Sequence, residues 1–328
     1  VLLVRLSALG DCVHTIPVAW ALRQALPEVS LGWAIQPGPH QLLAGLACVD
    51  RFHVVPRRGS WRERWAALAE IRSRRYEVVL DLQGLAKSAV ITLASGARRR
   101  LGWAGPESRE GNRLVLTERL EIDPRVTHVV DRNLALLRLL GIDDPQVRWD
   151  LPSPGVAEPG LEVLVWPGTT WVTKIWPERH WAELVHTLVD SGQRVVVGWG
   201  NEQERDVALR VAGTSGATVL PPTSLPELSA LLARARLVVA GDTGPLHLAV
   251  AHGTPTVAIF GATDPARTGP YGGAAAGHVV VVREGLQCRP CGARQCHRGD
   301  LACLEGLEVA RVLAACRRQL AGDHSGAG

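Results

Sequence analysis

The sequence predicts an α/β protein made of two consecutive doubly wound domains. Three observations predict it. Short runs rich in Val, Leu and Ile alternate with stretches of helical apolar spacing along most of the chain. The alternation restarts after a stretch rich in Pro and Asp near the middle. A length of 328 residues with 46% hydrophobic content also suits two cores of about 150 residues each. Strand alternating with helix implies parallel sheets with helices on both faces.

In the first half, residues 1–6 (VLLVRL), 30–35 (SLGWAI), 51–56 (RFHVVP) and 76–84 (YEVVLDLQG) read as strands. Residues 12–26 (CVHTIPVAWALRQAL) and 61–75 (WRERWAALAEIRSRR) read as helices. Residues 144–159 (DPQVRWDLPSPGVAEP) read as a linker, which sets the domains at 1–150 and 151–328. In the second half, residues 161–168, 193–200, 217–222, 236–244 and 254–261 read as strands. Residues 180–192, 202–213, 224–235 and 245–253 are the intervening helices, and 307–322 form a last one before a frayed tail, 323–328. No internal sequence repeat is visible. Two such domains in succession are expected to face a cleft, the usual place for a ligand.

Composition narrows the partners. Of 36 basic residues only Lys87 and Lys174 are lysines, and Met is absent. A genome that favours Arg codons explains the skew, but it leaves the two lysines as positions to question. Residues 1–150 carry 21 basic and 16 acidic side chains, the remainder 15 and 16. A basic first half suggests an anionic partner or an anionic membrane surface, with solvated Arg on helix faces accounting for much of it. Nucleic acid is not an expected partner. No run of about 18 apolar residues is present, so no transmembrane helix is expected. Seven cysteines without an export signal suit a reducing cytoplasm. No GxGxxG follows a strand, no GxSxG or HExxH occurs, and no Asp-x-Asp pair stands at a strand end. A nicotinamide dehydrogenase and a metal-chelated nucleotide-sugar site are therefore not indicated.

Four segments could carry chemistry. The turn Ser7-Ala8-Leu9-Gly10-Asp11 follows the first strand, at the carboxyl end where open α/β sheets bind ligands. Asp11 reads either as a helix cap or as a general base. The turn Trp166-Pro167-Gly168-Thr169-Thr170, with Lys174 beyond it, offers hydroxyls, backbone N–H groups and a mobile charge for phosphate oxygens. Its spacing is not that of a P-loop. In Gly241-Asp242-Thr243-Gly244-Pro245-Leu246-His247, glycines precede a helix N-terminus that favours an anion. Asp242 there either caps, orients the loop or meets a sugar hydroxyl. Finally, Cys288, Cys291, Cys296 and Cys303, beside His297, form either a structural metal site, disulfide staples or free thiols.

Together the stretches VLLVRLSALGDCVHTIP, YEVVLDLQGLAKSA, WPGTTWVTKIWPERHWAEL, VVVGWGNEQER and VVAGDTGPLHLAVAHGTPTVAIFGATDP resemble glycosyltransferase family 9, the ADP-heptose:lipopolysaccharide heptosyltransferases. They span nearly the whole chain in the family's order. The resemblance implies the GT-B architecture of two Rossmann-like domains. It implies that Asp11 is the catalytic base and that Thr169, Thr170 and Lys174 bind the donor diphosphate. Glu204 would contact the nucleotide, and Asp242, Thr243, Gly244 and His247 would line the donor loop. Lys87 and Arg109 match basic positions facing an anionic acceptor, and Arg57, Arg58, Arg62 and Arg64 resemble a basic loop on the same side.

The Thr169-Thr170-x-x-x-Lys174-x-Trp176-Pro177 form and Ser108-Arg109-Glu110 are most similar to heptosyltransferase I. The Cys segment instead resembles a tail of heptosyltransferase II-like members. The implied reaction moves heptose from ADP-heptose to the Kdo region of a lipid A core with inversion, and no metal cofactor is required. The implied setting is a monomer at the cytoplasmic face of the inner membrane. Three other readings stay open: a family 9 enzyme with another donor or acceptor, a different GT-B enzyme such as a sugar-nucleotide epimerase, and a non-catalytic nucleotide- or metal-binding module.

Overall fold

The structure is a computed structural model that describes residues 1–152 and 162–322. It divides into two compact units, Val1–Pro152 and the remainder of the chain. Residues 145–152 carry no helix or strand; the rest of the expected linker, 153–159, and the expected tail, 323–328, lie outside the described residues.

The first unit holds strands β1 (Leu2–Val4), β2 (Gly32–Ile35), β3 (Arg51–Val54), β4 (Val78–Asp81), β5 (Arg99–Trp103) and β6 (Glu118–Leu120). Its helices are α1 (Leu9–Val13), α2 (Ile16–Ala25), α3 (Pro37–Leu43), α4 (Trp61–Ser73), α5 (Ala86–Ala94) and α6 (Val129–Ala135). The second unit holds β7 (Glu162–Trp166), β8 (Arg194–Val197), β9 (Thr218–Val219), β10 (Leu237–Gly241), β11 (Thr256–Phe260) and β12 (His278–Val282). Helices α7 (Glu178–Asp190), α8 (Glu202–Ala212), α9 (Leu225–Arg234), α10 (Gly244–Ala251), α11 (Pro265–Thr268), α12 (Ala302–Glu305) and α13 (Val309–Ala321) complete it.

Each unit contains one six-stranded parallel sheet. The orders are β3-β2-β1-β4-β5-β6 and β12-β11-β10-β7-β8-β9. Renumbered within its own unit, the second sheet has the order of the first. This is the doubly wound order in which the chain reverses direction between the first and fourth strands, and ligands sit outside the carboxyl ends there. The repeat is one of topology alone, which is why the sequence does not show it. The central strands are fully buried, as strands covered on both faces must be: Leu2, Leu3 and Val4 in one sheet, and Val238, Val239 and Ala240 in the other.

The helix expected over 12–26 is two helices. Pro17 has no N–H to continue the ladder and its ring would crowd the carbonyl four residues back. The chain therefore stops α1 at Val13 and restarts α2 with Pro17 in its first turn, where the missing N–H costs nothing. Helix α7 follows its expected pattern closely. Trp181, Leu184, Val185 and Leu188 recur on one face and are buried against the second sheet. The Trp176 and Trp181 rings meet edge to face at 5.0 Å in that core, and the Trp176 indole donates to Leu307 O at 3.0 Å.

Candidate active site

In the first unit the site grows from the two strands at the point of reversal, β1 and β4. Arg5, the residue after β1, is buried. Its guanidinium reaches the Leu82 carbonyl just past β4 and pairs with Asp11 at 2.8 Å. The Asp11 carboxylate also accepts the Ala8 N–H at 3.0 Å. Ala8 is the N-cap of α1, so Asp11 stands three residues inside the helix and is not its N-cap. A carboxylate has about four lone-pair positions, of which two are occupied. The Asp11 side chain is 42% exposed, against 10% for Arg5. It is thus held in direction from one side and open on the other.

The β4 loop locks this turn. The Gln83 side-chain amide accepts the Leu6 N–H at 2.8 Å and donates to the Ser7 carbonyl at 3.0 Å, extending the sheet by one artificial rung. Buried Asp81 accepts the N–H groups of Gln83 and Gly84, each at 3.0 Å, together with Thr92 Oγ1 and Asn112 Nδ2. Gly84 has φ +68°, and a Cβ there would strike the Glu107 carbonyl. That contact lets the next segment close over the turn, where Arg109 N–H donates to Gly84 O at 2.8 Å.

Lys87, in the first turn of α5, donates to Ser7 Oγ at 2.9 Å. Partial burial, followed by the charges of Arg57 and Arg5, lowers its ammonium below the usual lysine range against the pull of Asp11. Lys87, Arg57 and Asp11 therefore share one electrostatic neighbourhood. Arg58 and Arg109 are exposed on the same unit.

In the second unit the corresponding strands are β7 and β10. Lys174 lies at the end of a 3-10 turn over Val172–Lys174. Its ammonium pairs with Asp242 at 2.7 Å and lies 4.5 Å from the Trp171 ring centroid. The other Asp242 oxygen meets His247 Nε2 at 3.2 Å. Asp242 is 5% exposed. Burial pushes its carboxyl up, but His247 and Lys174 outweigh burial and hold it well below the usual carboxylate range. Asp242 does not cap α10, whose N-cap is Thr243; it ties the loop after β10 to the turn after β7.

Thr169 is half-buried and Thr170 exposed at the mouth of that turn. Glu204 accepts the Gly200 N–H at 2.8 Å, and its own N–H is capped by Asn201. A side chain at Gly168 would occupy the space of the Glu204 carboxylate, so the glycine admits Glu204 beside the Trp166–Thr170 turn. Gly244 opens α10 and His247 lies on its first turn.

The sequence candidates thus divide between the two units. Asp11 and Lys87 share one neighbourhood with Arg57 in the first, and Lys174, Asp242 and His247 are linked in the second. The Arg58 and Arg109 side chains are exposed without a contact to Asp11. The cysteines do not form a third group. All seven are free thiols, with Cys288 and Cys291 exposed, Cys296 half-buried and Cys303 buried in the core of the second unit. Among the described residues no three His, Cys, Asp or Glu side chains stand where they could hold a metal. Sequence reasoning missed Arg5, Asp81 and Gln83. Arg5 left a signal, a lone charge closing an otherwise apolar strand, and Asp81 left another as a carboxylate ending a buried run.

A family model described as glycosyltransferase family 9 (heptosyltransferase) matches residues 64–302. The chain belongs to that family. It is a glycosyltransferase, and its two doubly wound sheets are those of the GT-B architecture. Lipopolysaccharide heptosyltransferase 1 of Pseudomonas aeruginosa is 35% identical over 318 residues, covering 90% of this chain and 87% of the relative. Lipopolysaccharide heptosyltransferase 1 of Escherichia coli K12 is 33% identical over 296 residues, covering 83% and 91%. The solved structure of E. coli heptosyltransferase WaaC with ADP superposes with a TM-score of 0.76 at 27% identity, covering 98% of this chain and 99% of that one.

Proposed function

We propose that this family 9 enzyme transfers heptose from ADP-heptose to the Kdo region of a lipid A core, with inversion at the anomeric carbon and without a metal cofactor. The observation that carries the reading is the Asp11 carboxylate, fixed by Arg5 and Ala8 on one side and open on the other, in the loop where a doubly wound sheet binds its ligand. The names of its relatives, lipopolysaccharide heptosyltransferase 1, support the donor and acceptor.

The acceptor hydroxyl attacks the anomeric carbon from the face opposite the diphosphate. Asp11 takes its proton as the new C–O bond forms, and the bond to ADP breaks with its electrons leaving on the diphosphate. Lys174, the Thr169 and Thr170 hydroxyls and the N-terminus of α10 at Thr243 and Gly244 stabilise that charge. Glu204 reads the nucleotide, and Asp242 with His247 holds the loop. Lys87, Arg109, Arg57 and Arg58 receive the anionic acceptor.

Among the described residues no helix is long and apolar enough to cross a membrane. Peripheral contact with the cytoplasmic face of the inner membrane, by a monomer, brings the enzyme to its lipid-linked acceptor. The test is a panel of ADP- and UDP-sugars against Kdo-lipid A, read by mass spectrometry with and without EDTA. Transfer from ADP-heptose in EDTA is the expected result. Preference for another sugar, or a strict divalent-cation requirement, would sink the corresponding part of the reading.

A further inference from the structure

The cysteine-bearing segment holds no place in the reaction described so far, yet it is fastened to the donor side of the second unit. The Thr173 hydroxyl, next to Lys174, donates to the Ala293 carbonyl at 2.7 Å. The N–H groups of Cys291 and Gly292 both reach Ala262 O, at 3.0 and 2.9 Å, just past the end of β11. The Arg289 guanidinium donates to the carbonyls of Gly261 and Arg283, at 2.6 and 3.2 Å. These bonds use backbone and Arg289, not the thiols. They fasten residues 289–294 to the turn that holds Thr173 and Lys174 and to the segment just past β11, where Ala262 N–H in turn reaches Thr173 O at 3.3 Å.

The result is a second cation at the Lys174 turn. The Arg294 guanidinium lies 4.8 Å from the centroid of the Trp171 ring, the same indole that carries Lys174. The two charges are not equivalent. Lys174 is already paired with Asp242, and that carboxylate stays ionised. Together they present little net charge to a ligand. Arg294 is exposed, and among the described residues it makes no ion pair, whereas Arg298 on the same segment is paired with Asp300 at 2.9 Å. A diphosphate carries at least two negative charges. Because Asp242 shares the charge of Lys174, Arg294 supplies the further positive charge they call for, and its planar fork suits two phosphate oxygens.

We propose that residues 289–294 form a wall of the donor site and that Arg294 binds the donor diphosphate as a second cation beside Lys174. This rests on the reading of the second unit as the ADP-sugar unit. The ring contact orients Arg294 without consuming a hydrogen-bond donor, so all five of its N–H groups remain for the ligand.

The experiment measures ADP and adenosine binding by calorimetry to the full chain and to Arg294→Ala, Arg294→Lys and Arg298→Ala. Loss of a charge-assisted contact should weaken ADP by about tenfold in Arg294→Ala, with adenosine unchanged. Arg294→Lys should recover part of the loss, and Arg298→Ala should match the wild type. Unchanged ADP affinity in Arg294→Ala, or an equal loss for ADP and adenosine, overturns the proposal. If the wild type itself binds no ADP, the donor reading of the second unit fails and this proposal goes with it.

Discussion

The Lys174 ammonium stands 2.7 Å from the Asp242 carboxylate, joining the turn after β7 to the loop after β10 across the point where the second sheet reverses direction. Both groups are largely buried, at 16% and 5% side-chain exposure. A compact ammonium reaches one carboxylate oxygen while His247 takes the other. A planar guanidinium would tend to span both oxygens and displace His247. That gives a physical reason for lysine at a position in a chain that otherwise uses arginine.

The pair makes stability depend on pH. Removing one partner of a buried pair costs about 3 kcal/mol, so Asp242→Asn should melt well below the wild type at pH 7. The Asp242 carboxyl is depressed in the fold, so its contribution is fully present above the ordinary aspartate value of 3.8 and declines as pH falls through its folded value. The gap between the two melting temperatures should therefore narrow as pH drops below 3.8. A gap independent of pH would mean that the carboxylate's charge is not what holds the loop.

Asp11 and Arg5 separate chemistry from positioning. Asp11→Ala removes the proposed base and should lower kcat by about 10²- to 10⁴-fold while ADP affinity stays at the wild-type level. Arg5→Lys retains a charge but cannot serve both Leu82 O and Asp11 with a rigid fork. It should lower kcat more than it changes either KM. Near wild-type turnover in Asp11→Ala would remove the base assignment, and full activity in Arg5→Lys would show that Ala8 alone orients the carboxylate.

Much of this site is legible in the sequence because strand ends are. The runs before Ser7, Trp166 and Gly241 are continuous and β-branched or leucine-rich, so the loops after them can be placed. β5, β6 and β12 are harder to see. β5 starts with Arg99 and Arg100 and contains Gly102, and β6 is a three-residue edge strand with Glu118 and Arg119. Residues 217–222 look like a strand but contribute only Thr218–Val219, because two prolines end the run. Pairings between distant segments leave no local pattern at all. Nothing near Arg5 announces Asp11 as its partner, and nothing near Ala293 announces Thr173.

Lys87 should give the acceptor side a pH signature. Its ammonium is depressed below the ordinary value of 10.5, so it loses its charge at a lower pH than a free lysine would. Acceptor KM should rise as pH climbs in the alkaline range, with donor KM unaffected. Lys87→Arg stays charged throughout and should flatten that rise. It should also start from a KM several-fold higher at neutral pH, since the bulkier planar guanidinium does not fit the place of the ammonium beside Ser7 Oγ. Identical pH profiles for the two enzymes would take Lys87 out of acceptor binding.

Ser60 and Glu63 close a capping box at the start of α4, so the helix is well formed from Trp61 onward. Yet Ile71 is its one buried residue, and Trp61 and Trp65, one turn apart, are 68% and 64% exposed. Arg62 and Arg64 lie between them in sequence, with the Arg62 guanidinium 5.6 Å from the Trp61 ring, Arg57 and Arg58 precede the helix, and all four are exposed. Indoles among arginines suit the boundary between anionic headgroups and acyl chains, each basic residue near such a surface contributing about 1 kcal/mol. The protein should sediment with phosphatidylglycerol vesicles more strongly than with phosphatidylcholine ones, and salt should weaken the binding. Replacing Trp61 and Trp65 together by Ala should reduce it by about tenfold or more, since a buried aromatic contributes about 1.5–3 kcal/mol. Turnover on a soluble, delipidated acceptor should survive that change, because neither indole is assigned a contact with the reacting sugars. If vesicle binding is equal for both lipids, or insensitive to the two tryptophans, α4 is not the surface that meets the membrane.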